Sequence, residues 1–402
     1  EIDEKKKKDS IRKMIYYSTT ATSREEIQDL YTNVDMLESC LHAITEDDKW
    51  TPVQAKTLFE LLIPNDFKQN FYSQHNIVWV LDKIAASYPW ELMQVSIESG
   101  VKPISICAKM IRQLATYDYN KSVNNSKSSR VLIVGDPNLE GFKGAPQLPG
   151  ARNEANLVYK KFSSHPSFEV SDFLIGDSSN NILNAIFKTD YRVMHLAGHG
   201  MFDAKNPMNT GMIIGKVLKI TIDECTLDKK EDETPILLTP NEITKITELP
   251  ELVFLNCCYL GTVNGEAEKN SRDKYKLAAN LGTELIDRGV KAVVVAGWAV
   301  NDNSATVFAD EFYKQMLEAA DFGTAVFEAR KRVYAENTGN NTWGSYQCYG
   351  DPFYKLVEKN AESKSKDDTT PYNNVLELEY DLENLIQDME IPTMELSYLE
   401  RR

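Results

Sequence analysis

Two short apolar stretches of the chain each end in a side chain that can do covalent chemistry. The first stretch, residues 191–200, ends in His199 and Gly200, and the second, residues 252–261, carries Cys258. Apolar runs of this length, bounded by turn residues, predict buried strands of a parallel sheet. Because active sites of open α/β sheets lie at the carboxyl ends of strands, His199 and Cys258 are each expected at such an end. They are therefore candidates for a nucleophile–base pair, although they lie far apart in the sequence.

The chemistry of such a pair depends on proton transfer. A cysteine thiol with a pKa of about 8.5 is mostly neutral at pH 7, and a nearby imidazole can accept its proton. The backbone N–H groups of Gly200 and Cys258 are the candidates for an oxyanion hole, since glycine allows close approach of the backbone. The pattern alone nevertheless favours a simpler interpretation, a core histidine and a core cysteine that never meet.

Neighbouring residues raise two further questions. Cys257 precedes Cys258, and strand alternation sends the two to opposite faces without indicating which faces the site. His195 lies four residues before His199, but this spacing serves a metal best on a helix, and no third ligand is evident. We therefore expect no metal site.

Composition restricts the class of protein. The 402 residues carry a net charge of -15, which argues against a nucleic-acid interface. There is no apolar run of 18 residues and no apolar signal segment at the start, so no membrane association is expected. The first residue is Glu1 rather than Met, which predicts a processed chain or a fragment of something longer. The cysteines form no regular framework, and free thiols predict a cytoplasmic location.

The order of elements predicts an α/β fold with a predominantly parallel sheet and helices on both faces. Residues 1–48 are expected to be a helical segment, because Ile27, Leu30 and Val34 recur at helical spacing. Residues 359–371 have linker composition. In residues 372–402 a 3,4 spacing of apolar side chains predicts an amphipathic helix that needs a partner surface; these are Val375, Leu378, Leu382, Leu385 and Met389.

A glycine-rich loop between Gly135 and Gly150 follows one predicted strand and precedes a helix. This placement raises a nucleotide-sensing alternative, but neither a GxGxxG nor a GxxxxGK[ST] motif is present. A loop that turns the chain or walls a cleft is the favoured interpretation.

Five motifs in this order resemble the CHAT domain, a caspase-like peptidase module within the wider group of caspases, metacaspases and separase. The matching stretches are residues 148–155, 195–202, 254–261, 297–302 and 349–352, and the resemblance runs from about Thr51 to Val357. It implies a caspase-like sheet in two parts, an N-terminal α/β part at 49–125 and a catalytic part at 126–358.

The resemblance also implies an activity. The family pattern places the catalytic histidine just before glycine, at His199, and the nucleophile three residues before glycine, at Cys258 rather than Cys257. It implies hydrolysis of peptide bonds in a protein substrate through a thioester acyl-enzyme, with no cofactor. In relatives the S1 pocket is lined at positions that correspond to Asp136 and Asn256, so Asp136 is a candidate partner for a basic P1 side chain or only a turn residue.

Three further expectations concern Asp302, the loop after Cys258 and an insertion. Asp302 is a further S1 candidate, although helix N-capping is the favoured role. The charged loop 263–276 follows the nucleophile, where caspases carry their activation linker, so cleavage is predicted at Lys269, Arg272, Lys274 or Lys276; a solvated surface loop is the alternative. The insertion 216–234 is expected to be a hairpin.

Family association alone suggests an activating protein or upstream TPR or sensor domain as partner, and a role in antiviral defence or cell-death signalling. The alternative function is a catalytically silent caspase-like scaffold in a larger signalling complex. Intact His199 and Cys258 count against that alternative.

Overall fold

The structure, a computed structural model, describes residues 11–20, 23–46, 48–72, 76–115, 125–142, 145–202, 209–222, 229–259, 276–298 and 300–358. The predicted linker and the predicted C-terminal helix lie outside these residues. No helix within the described ranges has the length and apolar character needed to cross a membrane.

The N-terminal segment is only partly helical, so that prediction is wrong for residues 11–33. Strands β1 (Ile11–Thr20) and β2 (Ser23–Asn33) form an antiparallel hairpin, and helix α1 (Val34–Thr45) follows. Asn33 caps α1 by accepting a hydrogen bond from the N–H of Met36. The apolar residues of β2 fit a helical period as well as a strand, and pairing with the aromatic and β-branched residues of β1 decides for the strand.

One large sheet organises the remaining chain. Its path runs β3 (Asn76–Leu81), β4 (Lys109–Leu114), β12 (Tyr346–Gly350), β11 (Ala292–Ala296), β10 (Leu252–Tyr259), β7 (Val193–Met201), β5 (Arg130–Gly135) and β6 (Glu169–Ile175). All neighbouring pairs on this path are parallel except β11 with β12, so the sheet is predominantly parallel, as predicted. Strands β3 and β4, from the predicted N-terminal part, join the same sheet as the strands of the predicted catalytic part through β12.

Two strands leave this path. Strands β8 (Gly211–Ile222) and β9 (Lys229–Leu238) form an antiparallel hairpin that pairs with the end of β7. This confirms the hairpin predicted for the insertion. The hairpin pairs with β7 through Gly200 and Met201, directly after His199.

Eleven α-helical segments are described. Their bounds are α1 (Val34–Thr45), α2 (Pro52–Leu62), α3 (Asn65–Lys68), α4 (Ile104–Cys107), α5 (Pro149–Ser163), α6 (Ser179–Lys188), α7 (Pro240–Ile243), α8 (Lys276–Asp287), α9 (Asp302–Leu317), α10 (Phe322–Glu336) and α11 (Thr342–Ser345). Short 3₁₀ helices occupy Gln69–Tyr72, Ala85–Ser87 and Trp90–Leu92.

Helices cover both faces of the sheet. His195 of β7 contacts Tyr313 of α9, whereas a side chain at Gly200 would meet Leu277 of α8. Since residues 195 and 200 of one strand point to opposite faces, α9 and α8 lie on opposite sides. Helix α5 packs on β5 so closely that a Cβ at Gly135 would lie 2.5 Å from the Cβ of Ala155. The core between these layers is largely apolar, which explains the long aliphatic strands, but it also holds buried charged side chains such as Glu154 and Arg112.

Candidate active site

The sheet brings the two predicted catalytic residues together. Strands β7 and β10 are adjacent and parallel, and their register places Cys258 directly opposite His199. Both lie near the carboxyl ends of their strands, where the topology predicts a site. The backbones of His199 and Cys258 are therefore adjacent, contrary to the interpretation of two core residues that never meet.

His199 is buried, and its Nε2 lies 2.6 Å from the carbonyl oxygen of Pro146. A carbonyl oxygen can only accept a hydrogen bond, so Nε2 carries the proton. In the neutral ring, Nδ1 is then the nitrogen with a free lone pair. The carbonyl of Pro146 thereby selects the tautomer in which Nδ1 is the base.

Burial also sets the charge state of the ring. Desolvation lowers the pKa of His199, and the hydrogen bond to Pro146 and the charges of Asp136 and Asp302 oppose this effect only in part. The ring is thus held in the neutral, proton-accepting form at neutral pH.

A polar network lies beneath this site on the α5–α9 face. Glu154 of α5 accepts a hydrogen bond from Nδ2 of Asn256 at 2.5 Å, and its Oε1 is 3.3 Å from Nε2 of His195. The other ring nitrogen of His195 is 3.1 Å from the hydroxyl of Tyr313. All four side chains are buried. Because a carboxylate only accepts, the amide of Asn256 must turn its NH₂ towards Glu154 and its oxygen away.

Asp136 directly follows β5 and is buried, with the left-handed φ of 47° that Asp adopts more readily than most residues. Its carboxylate accepts hydrogen bonds from the N–H of Leu148 at 2.8 Å and from Arg152. Asp136 therefore does act as a turn residue that anchors the loop before α5. Its S1 role stays a prediction, and Arg152 is the cation that a basic substrate side chain would join or displace.

Asp302 is not the helix cap. Asn301 takes that position, since it has extended backbone angles and its side chain accepts a hydrogen bond from the N–H of Ser304. Asp302 is the first residue of α9, where a negative charge favours the helix dipole. Its carboxylate approaches α5 so closely that a Cβ at Gly150 would lie 2.4 Å from it.

The oxyanion-hole candidates also have a packing role. A Cβ at Gly200 would lie 2.9 Å from the carbonyl oxygen of Cys257, so the close approach of β7 and β10 requires glycine. Cys257 itself is buried. Whether the N–H groups of Gly200 and Cys258 stabilise an oxyanion stays a prediction.

Most of the predicted activation sites fall outside the described residues, namely Lys269, Arg272 and Lys274. Lys276 is the first residue of α8. Within the part of the chain that the structure describes, no group of three His, Cys, Asp or Glu side chains is arranged to hold a metal ion.

Three contributors were missed by the sequence analysis: the carbonyl of Pro146, Arg152 and Glu154. The sequence does indicate that Glu154 is buried. It shares one helix face with Ala151, Ala155 and Val158, at the spacing of a buried face. A carboxylate on such a face needs a buried partner, which is Asn256, and His195 lies close to it without a hydrogen bond. The carbonyl of Pro146 left no signal, since any residue supplies one.

A histidine and a cysteine lie in register at the carboxyl edge of a predominantly parallel, helix-covered sheet, which defines an α/β fold with a candidate Cys/His site. A family model described as the CHAT domain matches residues 53–351. The chain therefore belongs to the CHAT domain family, as the sequence motifs predicted.

Other comparisons give weaker similarity. No curated protein matches the chain. Among solved structures it is similar to the Arg-specific cysteine proteinase gingipain R, with 11% identity and a TM-score of 0.42 over 75% of this chain and 68% of that one. It is also similar to the complex of Porphyromonas gingivalis RgpB pro- and mature domains (12%, TM-score 0.41, 74% and 71%). The third is the Saccharomyces cerevisiae separase–securin complex (13%, TM-score 0.34), where 68% of this chain matches 15% of the other.

Proposed function

We propose that this protein is a cysteine endopeptidase that hydrolyses peptide bonds in a protein substrate with Cys258 as nucleophile and His199 as base. The observation that carries the proposal is the register of β7 and β10, which sets Cys258 opposite His199 at the carboxyl edge of the sheet. Membership of the CHAT domain family supports the same activity.

The first half of the reaction uses the tautomer that Pro146 selects. Nδ1 of neutral His199 accepts the thiol proton, and the thiolate of Cys258 attacks the scissile carbonyl carbon. The C–S bond forms as the carbonyl π electrons move to oxygen, and N–H groups of Gly200 and Cys258 stabilise this oxyanion. The imidazolium then returns its proton to the leaving amine as the C–N bond breaks.

The second half releases the acyl group. His199, neutral again, takes a proton from a water molecule that attacks the thioester. Collapse of the tetrahedral intermediate breaks the C–S bond and regenerates the thiol of Cys258 with the proton held by His199. The dyad thus needs no further acid and no cofactor.

The substrate side chain proposed for S1 is basic. Oδ1 of Asn256 is buried and has no hydrogen-bond partner in the described part of the chain, because Glu154 holds the Nδ2 end. An acceptor in that position, two residues before the nucleophile and at the same sheet edge as Asp136, suits a Lys or Arg donor. Arg152, which forms a salt bridge with Asp136, is the cation that would compete with such a side chain for this carboxylate.

Mapping of new protein termini by mass spectrometry tests the function. The protein, its Cys258→Ala variant and a matched Cys107→Ala control at an exposed thiol are each incubated with and without a lysate of the source cells. Termini that depend on Cys258 but not on Cys107 are expected, with Lys or Arg at P1. Cleavage only with lysate would support an activating partner, and no Cys258-dependent terminus under either condition would leave the scaffold function.

Regulation is part of the same proposal. An activating protein or an upstream sensor domain is the proposed partner, in a cytoplasmic defence or cell-death pathway, and cleavage after Lys269, Arg272, Lys274 or Lys276 is the proposed activation step. Intact mass measurement of fully active protein tests the last point, since a single unbroken chain would exclude it.

A further inference from the structure

A groove lies on the side of the molecule away from the Glu154 network. Two helix faces form its walls, residues 34, 37, 38 and 41 of α1 and residues 276, 279, 280 and 283 of α8. Both faces show the i, i+3, i+4, i+7 spacing of a helix surface. The cavity between them has a volume of about 300 Å³.

The groove is apolar at its floor and basic at its rim. Leu37, Leu41 and Phe202 line the floor and are buried. The charged residues that line it are Arg12, Lys83, Lys276 and Glu38, three cations and one anion. Lys83 forms a salt bridge with Asp287, yet its side chain is 66% exposed. A basic rim is unusual in a protein with a net charge of -15.

The chain contains a segment with the complementary pattern. Residues 375–390, which lie outside the described part, carry six acidic residues and no Lys or Arg; the acidic residues are Glu377, Glu379, Asp381, Glu383, Asp388 and Glu390. The apolar residues of the same segment follow the 3,4 spacing of one helix stripe; they are Val375, Leu378, Leu382, Leu385 and Met389. A helix with an apolar stripe and acidic flanks fits an apolar groove with a basic rim.

The stretch of chain that precedes this segment is long enough to let it reach the groove. The described chain ends at Glu358, and the 16 residues from 359 to 374 can span at most about 53–58 Å when extended. A domain of about 350 residues has a radius of gyration of only about 20 Å. The segment can therefore reach a groove on the far side of the same molecule.

We propose that residues 375–390 dock as an amphipathic helix in the groove between α1 and α8 of the same chain. Phe202, which lines the groove, lies three residues after His199, and Lys276 at the rim begins α8. The docking itself is independent of the proposed peptidase activity, because its test measures amide exchange.

Hydrogen exchange of the full chain, followed by mass spectrometry, tests this proposal. Peptides covering 375–390 are expected to exchange at least about tenfold more slowly than in a Leu378→Asp/Leu382→Asp variant. Ile84→Glu, at a groove-lining residue that is 56% exposed, is expected to remove this protection. Ile97→Glu is the matched control, since Ile97 is 57% exposed and does not line the groove.

Three other outcomes would overturn the docking proposal. Equal, fast exchange of 375–390 in wild type and in the double variant would overturn the proposal, as would protection that survives Ile84→Glu. Protection that disappears on dilution would assign the groove to the tail of a second copy and overturn docking within one chain. Lys83→Glu provides a second groove variant if Ile84→Glu does not show wild-type thermal unfolding.

Discussion

Nε2 of His199 lies 2.6 Å from the carbonyl oxygen of Pro146, and this contact decides which ring nitrogen can act as a base. Pro146 belongs to the loop between β5 and α5, so a segment that supplies no reactive side chain fixes the tautomer of the catalytic candidate. Asp136 and Arg152 anchor the same loop.

The first prediction concerns thiol reactivity. Iodoacetamide at pH 7 is expected to label Cys258 before Cys40, Cys107 and Cys348, because burial raises the pKa of Cys40 and Cys107 and raises that of Cys348 to about 12. His199→Ala should slow labelling of Cys258 by about tenfold or more, since the thiol loses its base. Peptide mass spectrometry against time measures the rates. His165→Ala is the control, and equal labelling rates of Cys258 in the two variants would contradict a dyad.

The second prediction concerns pH. Burial lowers the pKa of His199, and a base works only when unprotonated, so the acidic limb of kcat/KM is expected below the ordinary histidine value of about 6.5. Asp302→Asn removes a charge that raises this pKa, and should therefore move the limb to still lower pH. Rates measured on one cleaved peptide between pH 4 and 8 check the shift. A limb that moves to higher pH in Asp302→Asn would show that the titrating group is not His199.

The third prediction separates the two roles of Asp136. Asp136→Asn keeps a residue that tolerates a φ of 47°, whereas Asp136→Ala loses that tolerance and both hydrogen bonds. Thermal unfolding should therefore place the Ala variant below the Asn variant. If Asp136 also binds a basic P1 side chain, both variants lose kcat/KM on an Arg peptide, by roughly tenfold or more. An unchanged kcat/KM in a folded Asn variant would leave Asp136 with its turn role alone.

The fourth prediction concerns the network under the site. Glu154→Gln replaces one of the two accepting oxygens by an NH₂ group, so Nδ2 of Asn256 and the ring of His195 can no longer both face an acceptor. The expected loss of unfolding free energy is about 1–3 kcal/mol, measured by urea denaturation. Glu98→Gln, at an exposed residue, is the control. Equal stability of the two variants would show that Glu154 is not paired as the structure places it.

Several individual elements depend on local patterns in the sequence. The run Val131 to Val134 forms part of β5, Ser178 caps α6, and Thr239 with Glu242 forms the capping box of α7. These features depend on neighbours within a few residues, so the sequence can reveal them. The helix predicted for the N-terminal segment was wrong, because β1 and β2 are decided by pairing with each other rather than by local spacing.

The sequence by itself determined the residue types that can do chemistry, His199 before glycine and Cys258 at the end of an apolar run, together with the α/β alternation. Its motifs also determined the family. Only the tertiary structure decided that β10 lies beside β7 in the register that pairs these residues, and that Pro146 and Glu154 reach His199 and Asn256. The physical reason is that strand order and loop packing are set by the free energy of burying whole faces, which no local spacing encodes.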